Sequence, residues 1–118
     1  MDEAAAQLMR RWQSRPGRVA LVARTLAELR GPVSGSIELP HRMVWQSAEL
    51  RRFDLDDPYQ RCRVYEIVLR EAVRSTELRS LLNGDLLRRV WPELYLPRGV
   101  RTAWEDHHGE LAGLRSAA

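Results

Sequence analysis

The residues of this chain that could do chemistry are few, and the clearest group is a pair of histidines between acids. His107 and His108 follow Asp106 and precede Glu110, and imidazole and carboxylate groups are common zinc ligands. Neighbouring side chains on a helix point about 100° apart, so both rings cannot easily reach one ion. The pattern therefore argues against a metal site at these histidines. It predicts His107 at the edge of the core and a solvated His108 near a helix C-terminus, where a cation is stabilised.

The other candidate nucleophile and acids have simpler structural interpretations. Cys62 lies on the apolar face of a helical pattern, which favours a buried thiol over an exposed nucleophile beside a base. Asp54, Asp56 and Asp57 directly precede Pro58, an arrangement typical of a helix N-terminus. The sequence contains no phosphate-binding loop, nucleophile elbow or dinucleotide fingerprint. We therefore expect a protein that is not an enzyme, with no cofactor and no small-molecule substrate.

Charge separates the two halves of the chain. All 19 basic residues are arginine; residues 1–52 carry nine arginines and five acids, and residues 53–118 carry ten and eleven. A basic segment attracts nucleic acid or an acidic protein surface. Residues 5–30 resemble a helix-turn-helix in which Arg15, Arg18 and Arg24 would contact phosphates. Its second helix has few side chains suited to reading bases, so a helical hairpin packed on the domain is favoured and DNA is the alternative partner.

Length and composition bound the class of protein. The chain has 118 residues, 44% of them hydrophobic and 30% charged, which fits one globular domain. Its single cysteine excludes an internal disulfide and fits a reducing compartment. No signal-peptide pattern or apolar run of about 20 residues is present. These features predict a cytoplasmic protein that does not bind a membrane.

The elements that must position these residues are mainly helical. Apolar spacing predicts helices at 2–13, 18–30, 58–74 and 97–109, with short helical turns at 75–82 and 86–91. Asn83 and Gly84 are predicted as a left-handed cap, and Glu66 with Arg70 as an ion pair one helical turn apart. We expect a single mainly α-helical domain of about five helices over residues 1–118. It divides into a helical pair (1–30), a connector (31–53), a helical region (54–108) and a flexible tail (109–118).

The connector is rich in glycine, proline and serine, which is typical of irregular structure with room for a short strand at 36–53. It also holds one of the chain's four tryptophans, Trp45. Trp12, Trp91 and Trp104 fall on helical apolar patterns, where core packing is the default. Trp45 lies beside Met43 in the irregular segment. Core packing and docking on a partner both fit this residue, because Trp and Met are enriched at interface anchors.

Two sets of sequence runs resemble a known group of proteins. The first set is IELPHR (37–42), FDLDDP (53–58) and VYEIVLRE (64–71), and the second is NGDLL (83–87), WPELYLP (91–97) and VRTAWE (100–105). Together they are similar to small actinobacterial proteins that accompany nucleotidyltransferase-type toxins of the abortive-infection kind. The resemblance spans about residues 36–108. It does not cover the first predicted helices.

The resemblance implies an antitoxin. Such a protein would bind a toxin that modifies tRNA 3′ ends and would occlude its active site stoichiometrically, with no catalytic residues of its own. The connector is the segment suited to this contact, and Arg42 could pair with carboxylates of an acidic catalytic cleft while Trp45 anchors beside it. The residues predicted to bind the partner are Ile37, Leu39, Arg42, Met43 and Trp45.

Overall fold

The computed structural model of the protein describes residues 13–15 and 18–116, and in this part of the chain it is mainly α-helical, as predicted. The strands are β1 (Gln13–Arg15), β2 (Arg18–Val19), β3 (Ser36–Glu38) and β4 (Arg52–Asp54). The α-helices are α1 (Pro58–Glu71), α2 (Ser75–Leu81), α3 (Gly84–Val90), α4 (Arg98–His107) and α5 (Gly109–Ser116). Short 3₁₀ turns cover Leu26–Glu28, Ala48–Arg51 and Trp91–Glu93.

The segment over residues 18–30 is extended, so the helix predicted there is wrong. After β2 the chain runs without helical structure to the 3₁₀ turn at Leu26–Glu28. The consecutive residues 20–23 are all buried, whereas an amphipathic helix would expose part of such a run. An apolar run suits a buried extended segment as well as a helix, and tertiary packing decides between them here. The predicted helix over 2–13 and Trp12 lie outside the described residues, except Gln13, which begins β1.

A close backbone contact explains why position 84 is occupied by glycine. A Cβ on Gly84 would collide with the carbonyl oxygen of Leu26. Without it, the Gly84 N–H donates to the carbonyl of Leu29 at 3.0 Å. Asn83 has an extended backbone and caps the N-terminus of α3 by accepting from the Leu86 N–H at 3.0 Å. The predicted left-handed cap is therefore wrong: the pair begins α3 and does not close α2.

The connector is irregular with short strands, as predicted. Strand β3 pairs antiparallel with β4, with Ile37 opposite Phe53. Both of these side chains are half-buried against the core, and the flanking residues of each strand are exposed. The resulting two-stranded sheet holds a long loop between its strands, which is described below.

Helix α1 begins where the sequence predicts. The Asp57 carboxylate accepts from the Gln60 N–H at 3.2 Å and so satisfies an N–H that has no partner within the helix. Pro58 occupies the first turn. The predicted pair of Glu66 with Arg70 is wrong. Glu66 instead pairs with Arg63 at 3.3 Å and accepts from the backbone N–H of Tyr95 at 2.8 Å.

Helix α1 ends at Glu71, three residues earlier than predicted, and a different residue caps α2. Ala72 already has an extended backbone. Glu77 reaches back from α2 to accept from the backbone N–H groups of Val73 and Arg74 at 3.0 and 3.1 Å. The predicted Ser75 or Thr76 cap is therefore replaced by a carboxylate at the N-terminal end of α2, where negative charge is favoured.

The C-terminal residues form a packed helix, so the prediction of a flexible tail is wrong over 109–116. Helix α5 starts at Gly109 and buries Leu111 completely. It packs against α4 and the 3₁₀ turn at Trp91–Glu93. Within the described residues, no helix is both long and apolar enough to cross a membrane.

Candidate functional site

The loop that joins β3 to β4, residues 39–51, is here called the Trp45 loop. Two of its residues are anchored in the core, since Leu39 is 1% exposed and Met43 is 6% exposed. Both were predicted to contact a partner. Their burial shows that they hold the loop to the domain instead, because a side chain with almost no exposed surface offers little to a second molecule.

Arg51 fastens the loop from inside. Its Nε donates to the carbonyl of Leu39 at 3.0 Å, its Nη1 to the carbonyl of Gln46 at 2.8 Å, and its Nη2 to the carboxylate of Glu38 at 3.3 Å. Only 16% of the Arg51 side chain is exposed. One planar guanidinium thus joins the end of β3 to the middle of the loop, a geometry that its fixed set of donors favours.

A second arginine fastens the loop to the helices. Arg42 Nη1 donates to the carbonyl of Glu71 at 3.3 Å, at the end of α1, and the guanidinium forms an ion pair with Glu77 of α2. The sequence suggested that Arg42 would meet carboxylates of a partner. In the structure it meets a carboxylate of its own chain.

Trp45 is left at the surface of this fastened loop. It is 78% exposed, and the ring of His41 meets its edge with the centroids 5.1 Å apart and the planes at 70°. Of the two alternatives for Trp45, the structure excludes core packing. Trp91 and Trp104, by contrast, are fully buried as predicted. Ile37, the remaining residue predicted to bind a partner, is half-buried in β3.

The arginines predicted to bind nucleic acid are not gathered on a recognition helix. Arg15 and Arg18 lie in β1 and β2, and their side chains are outside the described part of the structure. Arg24 lies in the extended segment and is exposed, and its backbone N–H donates to the Glu28 carboxylate at 2.9 Å. The segment therefore lacks the helix that would enter a major groove in a helix-turn-helix.

The histidine pair is arranged in the opposite way to the prediction. His108 is buried, with its Nε2 2.7 Å from the carbonyl oxygen of Ala23, and His107 is exposed. Burial is the largest cause that lowers the pKa of His108. The described residues contain no group of three or more His, Cys, Asp or Glu side chains placed to hold a metal ion. The imidazole of His108 serves the fold: from the junction of α4 and α5 it contacts the extended segment at Ala23.

Cys62 lines a groove of about 320 Å³ on one face of α1, together with Tyr59, Arg63 and Glu93. Burial raises the pKa of its thiol, and the nearby carboxylates of Glu93 and Glu66 raise it further. A thiol with a raised pKa stays protonated at neutral pH and is a poor nucleophile. The groove therefore offers no activated sulfur.

The three aspartates before α1 act as predicted for a helix entrance. Asp57 caps the helix, Asp54 accepts from the Asp56 N–H at 2.9 Å, and Asp56 accepts from the Gly35 N–H at 3.4 Å. Each carboxylate is used in the turn. They do not converge on a shared position where a cation or substrate could lie.

Two residues of the site were not predicted from the sequence. His41 carries a weak signal, because it lies next to Arg42 in the connector. Arg51 carries no sequence signal, because it donates mainly to backbone carbonyls. Every residue type has a backbone carbonyl. Only the path of the folded chain brings them to one guanidinium.

Compared with family models, with curated proteins and with solved structures, the chain shows no significant match in any of the three.

Proposed function

We propose that this protein is a non-catalytic protein-binding module that contacts its partner through Trp45 and His41. The observation that carries the proposal is the exposure of Trp45 on a loop whose backbone is held by Arg51, Arg42 and two buried anchors. Tryptophan is the residue type most enriched among binding hot spots. Leaving so large an apolar ring in water has no benefit for the isolated fold.

The fastened loop also reduces the cost of binding. A partner that meets a mobile loop must order its backbone and side chains, which costs about 0.5–1.5 kcal/mol for each immobilised side chain. The hydrogen bonds of Arg51 and the ion pair of Arg42 with Glu77 already order this loop. The free energy gained from burying Trp45 would therefore increase the affinity, because none of it is needed to order the loop.

The partner in this proposal is a nucleotidyltransferase-type toxin, and the protein is its antitoxin, which occludes the active site. The sequence resemblance supports this class of partner. Its runs at 37–42 and 53–58 cover most of β3 and β4 and the start of the Trp45 loop with His41, so the resemblance adjoins the candidate surface. Trp45 and His41 make the contact, and Arg42 holds the loop instead of pairing with carboxylates of the toxin's cleft.

The test compares two exposed aromatic residues. Trp45→Ala is expected to weaken binding to the purified product of the neighbouring gene by about 30- to 1,000-fold, which corresponds to about 2–4 kcal/mol. Tyr95→Ala is the matched control, because Tyr95 is 88% exposed and lies outside the Trp45 loop. Calorimetric titration of both variants decides the matter. Equal affinity for Trp45→Ala and the wild type would overturn the proposal.

A further inference from the structure

The two edges of the β3–β4 sheet differ. The Leu55 N–H donates to the Gly35 carbonyl at 2.8 Å, and the Leu39 N–H donates to the Arg51 carbonyl at 2.9 Å. These bonds lie at the two ends of the paired region, two residues on either side of Ile37. Because hydrogen-bonded pairs alternate in an antiparallel ladder, Ile37 directs its N–H and C=O towards β4. The backbone groups of its neighbours must point the other way.

The outer edge of β4 is closed. The outward N–H of Asp54 donates to the side-chain oxygen of Gln60 in α1 at 2.9 Å, and α1 packs against this strand. This bond also confirms the alternation, because Asp54 lies opposite Ser36.

In the part of the chain that the structure describes, the outer edge of β3 is open. Among the described residues, none forms a hydrogen bond with the outward N–H and C=O groups of Ser36 and Glu38. Both residues are exposed. An unpaired row of backbone donors and acceptors at a sheet edge is the template on which an extended segment adds as a further strand.

We propose that the partner of this protein contributes an extended segment that pairs with β3 as the third strand of the sheet. The inference rests on the proposed function and names the kind of segment that is bound. The edge recognises the main-chain N–H and C=O groups of that segment, and an apolar residue beside Ile37 would continue the inward face of the sheet.

The open edge adjoins the surface already proposed. Arg51 binds the carboxylate of Glu38 at the end of β3 and the carbonyl of Gln46 beside Trp45. One guanidinium therefore brings the end of the edge close to the loop that carries the tryptophan. A partner strand on β3 would run past this point, so Trp45 and the edge form one continuous contact.

The test removes a single outward N–H. Glu38→Pro deletes that donor without removing a bond between β3 and β4, and proline is tolerated on an edge strand. Glu38→Ala is the matched control: it loses the same ion pairs with Arg51 and Arg52 but keeps the N–H. Thermal unfolding of both variants is expected to be similar, which shows that each still folds.

The probe is the purified product of the neighbouring gene. Glu38→Pro is expected to bind it about tenfold more weakly than Glu38→Ala, as for the loss of one hydrogen bond. In the wild-type complex, NMR is expected to show slower amide hydrogen exchange at Ser36 and Glu38. Binding with equal affinities for the two variants and unchanged exchange would overturn the strand pairing and leave the proposed function intact. Absence of any binding would overturn both.

Discussion

The imidazole Nε2 of His108 lies 2.7 Å from the carbonyl oxygen of Ala23, and this bond joins the last two helices to the extended segment near the start of the described chain. The carbonyl can only accept, so Nε2 carries the proton and donates. The ring also lies against Trp104, with the centroids 5.6 Å apart. His108 is thus a buried neutral group that connects distant parts of the sequence.

The stability of the protein is expected to fall as the pH drops below the ordinary His pKa of 6.5. Burial lowers the pKa of His108 in the folded state, so the unfolded chain binds more protons in the window between the lowered pKa and 6.5. Stability therefore rises with pH across this window and is fully present above it. Urea unfolding between about pH 5 and 8 measures the slope.

The control variants assign that slope to one ring. His108→Gln keeps an N–H donor for Ala23 but does not titrate, so we expect a flatter pH profile over the same range. His107→Gln changes an exposed ring that lies 4.8 Å from that of His108 and helps to lower its pKa, so it is expected to reduce the slope less than His108→Gln does. A profile of His108→Gln identical to that of the wild type would show that another group carries the dependence.

Two glycine-to-alanine substitutions are expected to have opposite effects. Gly84→Ala places a methyl group against the carbonyl of Leu26, and overpacking of this kind costs about 1–3 kcal/mol. Gly113→Ala, within α5, meets nothing within 4 Å and is expected to stabilise the protein by about 0.5–1 kcal/mol through helix propensity. Chemical denaturation measures both, and stabilisation by Gly84→Ala would contradict the close approach.

Local signals explain what the sequence could predict. The entrance of α1 is correct because Asp57 and Pro58 act on the first turn of their own helix, where neighbours in sequence are neighbours in space. The mainly helical class is correct because apolar periodicity is strong over 58–107. Each of these inferences needs only the residues of one element.

Contacts between distant segments explain the errors. The run at 20–23 has apolar spacing that fits a helix, but it is buried among elements that arrive later in the chain. His108 was expected in solvent because its acceptor, the Ala23 carbonyl, is 85 residues away in sequence. Arg51 holds the loop that carries the exposed Trp45, and two of its three acceptors are backbone carbonyls, which leave no trace in residue types.

Truncation of a side chain in α5 tests whether the C-terminal residues belong to the cooperative fold. Leu111 is fully buried, so Leu111→Ala is expected to destabilise the protein by about 2–4 kcal/mol. Leu50→Ala is the control, because Leu50 is 61% exposed and its truncation should change stability by less than about 0.5 kcal/mol. Equal unfolding midpoints for the two variants would mean that α5 frays independently of the core.

Arg51 orders the Trp45 loop but is not itself the proposed contact residue, so a substitution at Arg51 tests the order of the loop separately. Its guanidinium reaches Leu39, Gln46 and Glu38 together. Lysine carries the same charge, but its single ammonium cannot reproduce this planar fork. The substitution Arg51→Lys therefore removes hydrogen bonds inside the loop and keeps the tryptophan at position 45 of the sequence.

Arg51→Lys is expected to raise the mobility of residues 41–47 and to weaken partner binding about 5- to 20-fold, because an unfastened loop must be ordered on binding. Backbone ¹⁵N relaxation measures the mobility on the ps–ns timescale without the partner. Arg52→Lys is the matched control, since Arg52 of β4 forms an ion pair with Glu38 at 3.6 Å and is 53% exposed. If Arg51→Lys leaves both relaxation and affinity at wild-type values, the fork does not order the loop. If it loosens the loop without weakening binding, Trp45 acts as an anchor that needs no preorganisation.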